Sequence, residues 1–251
     1  ENLRNYLFSI YFIIKIKTGQ PGTQEEMLQK DMNRISQIHA ALKDKRTNQT
    51  PDKKLIYTLD SNARYEKKET LLRLIDHCDK IGALPQLLFV EEPLSEKNNE
   101  PVGDIGVRMA ADESVHTEQD AIKRLDQGYK GLVLKGIAKS LSLSMKIARL
   151  AYEHNVPCLC ADLTVNPILV DWNKNLAARL QPFPGLGMGM IETNGDMNYA
   201  NWSKMVQYHP HAGAKWMQVR NGVFELDDDY YAKSGGIFSP SPHYQNMFKK
   251  F

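Results

Sequence analysis

Cysteine is scarce: Cys78, Cys158 and Cys160 are the only three in 251 residues. An odd, sparse set without paired C-x-x-C spacing supports neither a disulfide framework nor a cysteine zinc site, and it suits a reducing cytoplasm. Excess charge of one sign is missing too. The 32 Lys and Arg nearly balance 30 Asp and Glu, leaving a formal net charge of +2. No basic block of the kind that attracts nucleic acid or anionic membranes stands out. Long apolar runs are absent: Tyr6 to Ile14 is too short to span a bilayer, leads directly into Lys15 and Lys17, and reads as a buried strand. A glycine-rich phosphate loop is lacking as well. Gly19-Gln20-Pro21-Gly22 does not match one, and Gly185-Leu186-Gly187-Met188-Gly189 has its third glycine misplaced and no acidic residue at the right distance. These absences point to a small-molecule partner, with no nucleic acid and no membrane, and to a cytoplasmic location.

What is present is alternation. Tyr11 to Lys17 is a β-branched, apolar run closed by the turn formers Thr18 to Gly22. Thr23 then caps a helix with Glu26 three residues on, and Met27, Met32, Ile35, Ile38 and Leu42 recur at roughly helical spacing. A polar insertion, Lys43 to Lys54, precedes the strand Leu55 to Leu59. The rhythm repeats through strands at 87–90, 107–111, 131–134 and 156–161 and helices at 67–78, 117–127, 141–154 and 173–180. Gly187 to Ile191 and Lys215 to Val219 are expected as strands seven and eight, with a helix near 197–208 between them. Eight strand–helix units in a chain of this length predict an α/β fold, a TIM-type (β/α) barrel, over an open doubly wound sheet.

In such a barrel the side chains at the C-terminal ends of the strands converge on one face, where active sites lie. Those ends carry Lys15 and Lys17, Asp60, Glu91 and Glu92, Asp112 and Glu113, Lys135, Asp162, and Glu192, in chain order. A single carboxylate after a strand is ordinarily a helix cap or a solvated loop residue. Three on consecutive strands, bracketed by lysines on the first and fifth, form a pattern. Asp60, Glu91 and Asp112 offer the oxygen ligands that a hard cation such as Mg²⁺ needs. The histidines, including His77, His116, His154, His209 and His211, lack the spacing of a zinc helix motif. Cys158 and Cys160 alternate on a strand and read as packed apolar residues.

The ordered set Lys15-Ile16-Lys17, Asp60-Ser61-Asn62, Glu91-Glu92-Pro93, Asp112-Glu113-Ser114 and Lys135 resembles the enolase superfamily, specifically its muconate-lactonizing-enzyme subgroup within the mandelate racemase/muconate lactonizing enzyme family. The resemblance implies the C-terminal catalytic barrel domain of such an enzyme over 11–251. It also implies residues 1–10 as the remnant of a linker from an N-terminal capping domain that is largely absent. Asp60, Glu91 and Asp112 would bind Mg²⁺, and Lys17 and Lys135 would serve as acid and base on opposite faces of a carboxylate substrate. Lys15 would tune Lys17, while Asn62, Glu92 and Glu113 would support the ligands; apart from the resemblance, Asp162, Asn166, Glu192 and Asn194 are placed either to reach more distal substrate groups or to cap loops. The implied activity is an isomerase, a racemase or epimerase working through a metal-stabilised enediolate.

Cycloisomerisation or dehydration by the same partial reaction stays open, as does a non-catalytic barrel used for binding. A homo-oligomer is compatible with all three. The sequence departs from the family pattern after Lys135, where Gly136-Ile137-Ala138-Lys139-Ser140 replaces a common glycine pair and leaves Lys139 as a competitor. The 17-to-60 segment is also longer than usual.

Overall fold

A computed structural model describes residues 11–161 and 163–249. The chain divides into two compact units, 1–133 with 153–156 and 134–152 with 157–251. In the first unit, β1 (Ile13–Lys17), β2 (Ile56–Asp60), β3 (Leu87–Glu91), β4 (Met109–Ala111) and β5, which begins at Gly131 and ends at Leu134, follow one another in parallel, each paired with the next. Helices α1 (Gln24–Leu42), α2 (Lys68–Lys80) and α3 (Glu118–Asp126) alternate with them. Chain-order parallel pairing with intervening helices is the connectivity of a (β/α) barrel.

Local sequence explains these elements. Thr23 closes a capping box with Glu26, so two orphan N–H groups at the start of α1 are satisfied reciprocally. Its buried face is Met27, Leu28, Asp31, Ile35, His39 and Leu42. Asp31 is the polar exception: it accepts from the backbone N–H of Gly19 at 2.7 Å and from the Tyr65 hydroxyl at 2.7 Å, and so anchors the loop that follows β1. In α2, Leu71, Leu74, Ile75 and Cys78 form the apolar stripe. Four of the five β2 residues are buried, as befits a strand with neighbours on both sides and a layer on each face. The polar insertion after α1 closes on itself through an antiparallel bridge between Arg46 and Lys54.

The second unit contains the end of β5, then α4 (Leu141–Glu153) up to Tyr152, β6 (Cys158–Cys160), α5 (Pro167–Ala177) and, among the described residues, the short helices α6 (Gly195–Asn198), α7 (Trp202–Val206), α8 (Asp228–Lys233) and α9 (Pro242–Phe248). The Ala161 N–H donates to the Leu134 carbonyl at 3.0 Å. Here the expected strands seven and eight are corrected. Among the described residues around 191, an isolated parallel bridge, Cys160 to Ile191, stands in place of a strand. Residues 215–217 form a 3-10 turn, and β7 (Val219–Arg220) pairs antiparallel with β8 (Val223–Phe224). Asn221 and Gly222 both have positive φ, which favours a tight reversal of the chain over a continued strand. The helix expected at 173–180 starts earlier, because Asn166 caps it and Pro167 occupies its first turn.

The buried anchor of this unit is ionic. Asp171 on α5 accepts from Lys174 at 2.5 Å and lies 3.2 Å from His209 Nε2. Lys174 also donates to the Trp216 carbonyl at 2.8 Å. Burial pushes the Lys174 ammonium below its ordinary value, and Asp171 opposes that shift.

Candidate active site

The first unit gathers most of the expected residues at the C-terminal ends of its strands. Register does this: Lys17 is the partner of Asp60, Asp60 of Glu91, and Glu91 of Ala110. Side chains of register partners share a face, and residues two apart on one strand share it as well. Lys15 therefore joins Lys17, and Asp112 lies one step beyond Ala110. Asp60, Glu91 and Asp112 are all buried, with 1%, 1% and 2% of their surface exposed.

Two lysines neutralise this buried charge. Lys15 Nζ sits 2.9 Å from Asp60 Oδ2 and 2.9 Å from Glu91 Oε2, bridging the two carboxylates. Lys17 Nζ also pairs with Asp60 Oδ2, and donates to Asn62 Oδ1 at 3.1 Å. The other Asp60 oxygen accepts the Asn62 backbone N–H at 3.0 Å. Burial works to raise the Asp60 pKa, but the charges and hydrogen bonds of Lys15 and Lys17 outweigh it and hold the carboxyl below its usual range. The Lys15 ammonium thus stands where a bound cation would contact Asp60 and Glu91.

The turns leaving β2 and β3 are conformationally unusual. Asn62, Ala63 and Glu92 have φ of 46°, 60° and 34°, in the left-handed region that non-glycine residues avoid. Strained backbone of this kind gathers at functional sites. Asn62 Nδ2 donates to Glu113 Oε1 at 2.7 Å, linking the rims of β2 and β4. Glu92 is fully buried, and its carboxylate turns to the backbone of Asp112. Burial raises the Glu92 pKa, and hydrogen bonds from Asp112 and Ser114 offset part of the rise.

Three side chains bear on a metal. The donor set of Asp60, Glu91 and Asp112 is all oxygen, anionic and buried, the chemistry that suits Mg²⁺. Among the described residues, no three His, Cys, Asp or Glu side chains are close enough as they stand to hold a metal ion. Lys15 instead pairs with Asp60 and Glu91, and Lys17 with Asp60. The residues fit Mg²⁺ in chemistry, and the two ammonium groups would have to yield.

Lys135 and Glu192 belong to the second unit. Lys135 immediately follows β5, is partly buried, and its carbonyl accepts the Lys139 N–H at 3.0 Å. The Glu192 N–H donates to the Cys160 carbonyl at 2.9 Å. Asp162 and residues 1–10 lie outside the described residues. Arg124 has no motif to mark it in the sequence, yet it is buried at 3% exposure beside this site. Its position on α3, three residues after the buried Ala121, places it on the inward stripe of the helix, and that was the available signal. Among the described residues, no helix is long and apolar enough to cross a membrane.

A family model described as Enolase C-terminal domain-like matches residues 1–222. Among solved structures, the chain is similar to a mandelate racemase/muconate lactonizing protein from Herpetosiphon aurantiacus, with a TM-score of 0.60 and 17% identity over 78% of this chain and 50% of that one. It is similar to an N-succinyl Arg/Lys racemase from Bacillus cereus, with a TM-score of 0.61 and 12% identity over 79% and 49%. A dipeptide epimerase from Cytophaga hutchinsonii, complexed with Mg and the dipeptide D-Ala-L-Val, gives 0.59 and 18% over 78% and 48%. At such identities the likeness is one of fold, and the chain spans about half the length of these structures. No curated protein matches the chain.

Proposed function

The chain belongs to the Enolase C-terminal domain-like family, and on that premise we propose that it is the barrel part of a Mg²⁺-dependent isomerase, a racemase or epimerase acting at the carbon next to a carboxylate. The observation that carries this reading is the ammonium of Lys15 bridging the buried carboxylates of Asp60 and Glu91. A buried anionic pocket that already holds a cation is suited to exchange it for a metal. Asp60, Glu91 and Asp112 would hold Mg²⁺. When bound there, Mg²⁺ would supply positive charge to stabilise the negative charge that develops on a substrate carboxylate as the neighbouring proton leaves.

The chain's own residues do the rest. Lys17 Nζ, at the rim and partly solvent-exposed, takes or returns the proton on one face of the substrate carbon. Lys135, by its place in the family's motif order, would be the second acid–base residue, so that a proton lost to one lysine and regained from the other inverts the centre. A lysine accepts a proton only when neutral, a form that nearby positive charge favours. Asn62 holds Lys17 through its amide oxygen and Glu113 through its amide nitrogen, which keeps the ammonium at the rim. Dipeptides and N-acylated amino acids are the substrate class to try first, because the racemase and epimerase of similar fold act on them.

The test is isotope exchange. The protein is incubated with Mg²⁺ in D₂O with a panel of dipeptides and N-succinyl amino acids, and deuterium is followed by NMR and chiral chromatography. The expected result is deuterium at the α-carbon of both recovered substrate and its epimer. Product with a new double bond or ring would replace the isomerase reading by a dehydratase or cycloisomerase. Absence of exchange with every acid, together with absence of Mg²⁺ binding, overturns the proposal.

A further inference from the structure

We infer that Arg124, Ser114 and Glu92 form a positioning relay that sets where Asp112 presents its carboxylate, an inference that rests on the metal reading above for its functional meaning. Glu92 is pinned from both sides. Its N–H donates to the Ala110 carbonyl at 2.8 Å, and its carbonyl accepts the Ala63 N–H at 2.7 Å. These bonds hold it at a φ of 34°, a left-handed conformation that an L-residue adopts only when its surroundings impose it. In that conformation its side chain runs sideways to the end of β4. Glu92 Oε2 accepts the Asp112 N–H at 2.7 Å, the Ser114 N–H at 3.2 Å and the Ser114 hydroxyl at 2.9 Å. One oxygen thus gathers the backbone on either side of residue 113.

Arg124 sets the direction of the last of these bonds. Its Nε donates to Ser114 Oγ at 2.8 Å, and a guanidinium can only donate. The serine's single proton is then directed at Glu92. Arg124 is itself immobilised: Nη1 donates to the Asn98 carbonyl and Gln127 Oε1, and Nη2 donates to the Glu96 carbonyl. Its guanidinium also lies 5.4 Å from the centre of the Tyr129 ring. A helix residue is thereby connected, through one hydroxyl and one carboxylate, to the amide of the third candidate ligand. Groups that orient a ligand in this way typically change metal affinity by 10- to 100-fold when removed.

The experiment pairs a metal titration with amide hydrogen exchange. Mg²⁺ binding is measured by calorimetry for the wild type, Asp112→Asn, Ser114→Ala, Arg124→Met and the double variant Ser114→Ala/Arg124→Met. Exchange of the Asp112 amide is measured without metal for the same proteins, with amides of α2 as the control for intact folding. Ser114→Ala and Arg124→Met are each expected to weaken Mg²⁺ about tenfold and to speed Asp112 amide exchange severalfold. The double variant should do no worse than Ser114→Ala alone, because Arg124 acts through the serine.

Ser114→Thr, which keeps the hydroxyl, should retain affinity. Wild-type affinity in both single variants, or losses that multiply in the double variant, overturns the relay. If the wild type binds no Mg²⁺, the metal reading fails on its own, and unchanged Asp112 exchange in the variants would still overturn the relay.

Discussion

Asp60 and Glu91 are register partners across β2 and β3, so two buried carboxylates end adjacent strands side by side. Like charges so placed repel unless a cation intervenes, and Lys15 is that cation. Lys15→Met leaves both carboxylates buried without it. The variant is expected to lose about 3 kcal/mol of stability in urea unfolding, as when one partner of a buried pair is removed. Mg²⁺ should recover more stability for the variant than it adds to the wild type, since it no longer competes with the ammonium. Equal recovery in the two proteins would count against Lys15 occupying the cation position.

Lys17 and Lys135 are predicted to divide the proton transfers between them. Lys17→Ala and Lys135→Ala should each slow racemisation by about 10²–10⁴-fold, the usual range for a positioned acid or base. Exchange of the α-proton into D₂O separates their roles. Each variant should keep exchange for one enantiomer of the substrate and lose it for the other. Loss for both enantiomers in both variants would refute the two-face arrangement.

Gly19 is predicted to reject a side chain. It follows β1 with a φ of 73°, and a Cβ there would lie 2.6 Å from the Ser61 carbonyl oxygen. Because that neighbour is backbone, nothing can rotate aside. Gly19→Ala should cost about 2 kcal/mol from strain and clash combined, read as a lower urea midpoint at unchanged slope. A neutral substitution would show that the β1 loop yields more readily than its anchorage on Asp31 implies.

The thiols provide a pH test. Burial pushes Cys78 and Cys158 up from 9.0 to about 12. In the unfolded chain they ionise first, so the unfolded state binds fewer protons between pH 9 and 12. Their contribution is present below pH 9 and is lost as pH rises through that window. Raising pH from 8 to 10.5 should lower the wild-type urea midpoint more than that of Cys78→Ala/Cys158→Ala. A thiol reagent at pH 8 should label neither cysteine rapidly until the protein is unfolded.

Much of this site was legible because strand alternation and loop chemistry are local. Thr23 and Glu26 form the box their spacing promises, and Lys17, Asp60 and Glu91 each end a strand as read. The choice between Lys15 and Lys17 was not legible, since alternation places both on one face and each reaches Asp60. Arg124 escaped notice because its partners, Glu96, Asn98 and Ser114, are joined only by tertiary structure. Residues 215–219 fall where the strand–helix rhythm expects an eighth strand. Their outcome was decided by the positive-φ pair Asn221-Gly222, which folds the segment back on itself. Asp171 and His209, 38 positions apart in the numbering of the chain, show the same limit, because no periodicity predicts such a meeting.

Ile191 meets Cys160 through an isolated bridge, whereas residues 60 and 91 end strands that are paired along their length. Among the described residues, backbone hydrogen bonds from Cys160 to Met190 and from Glu192 to Cys160 join this segment to β6. Residues 60 and 91 sit in a continuous run of paired strands and move only when that run gives way. The early strand ends are thereby held as a fixed template.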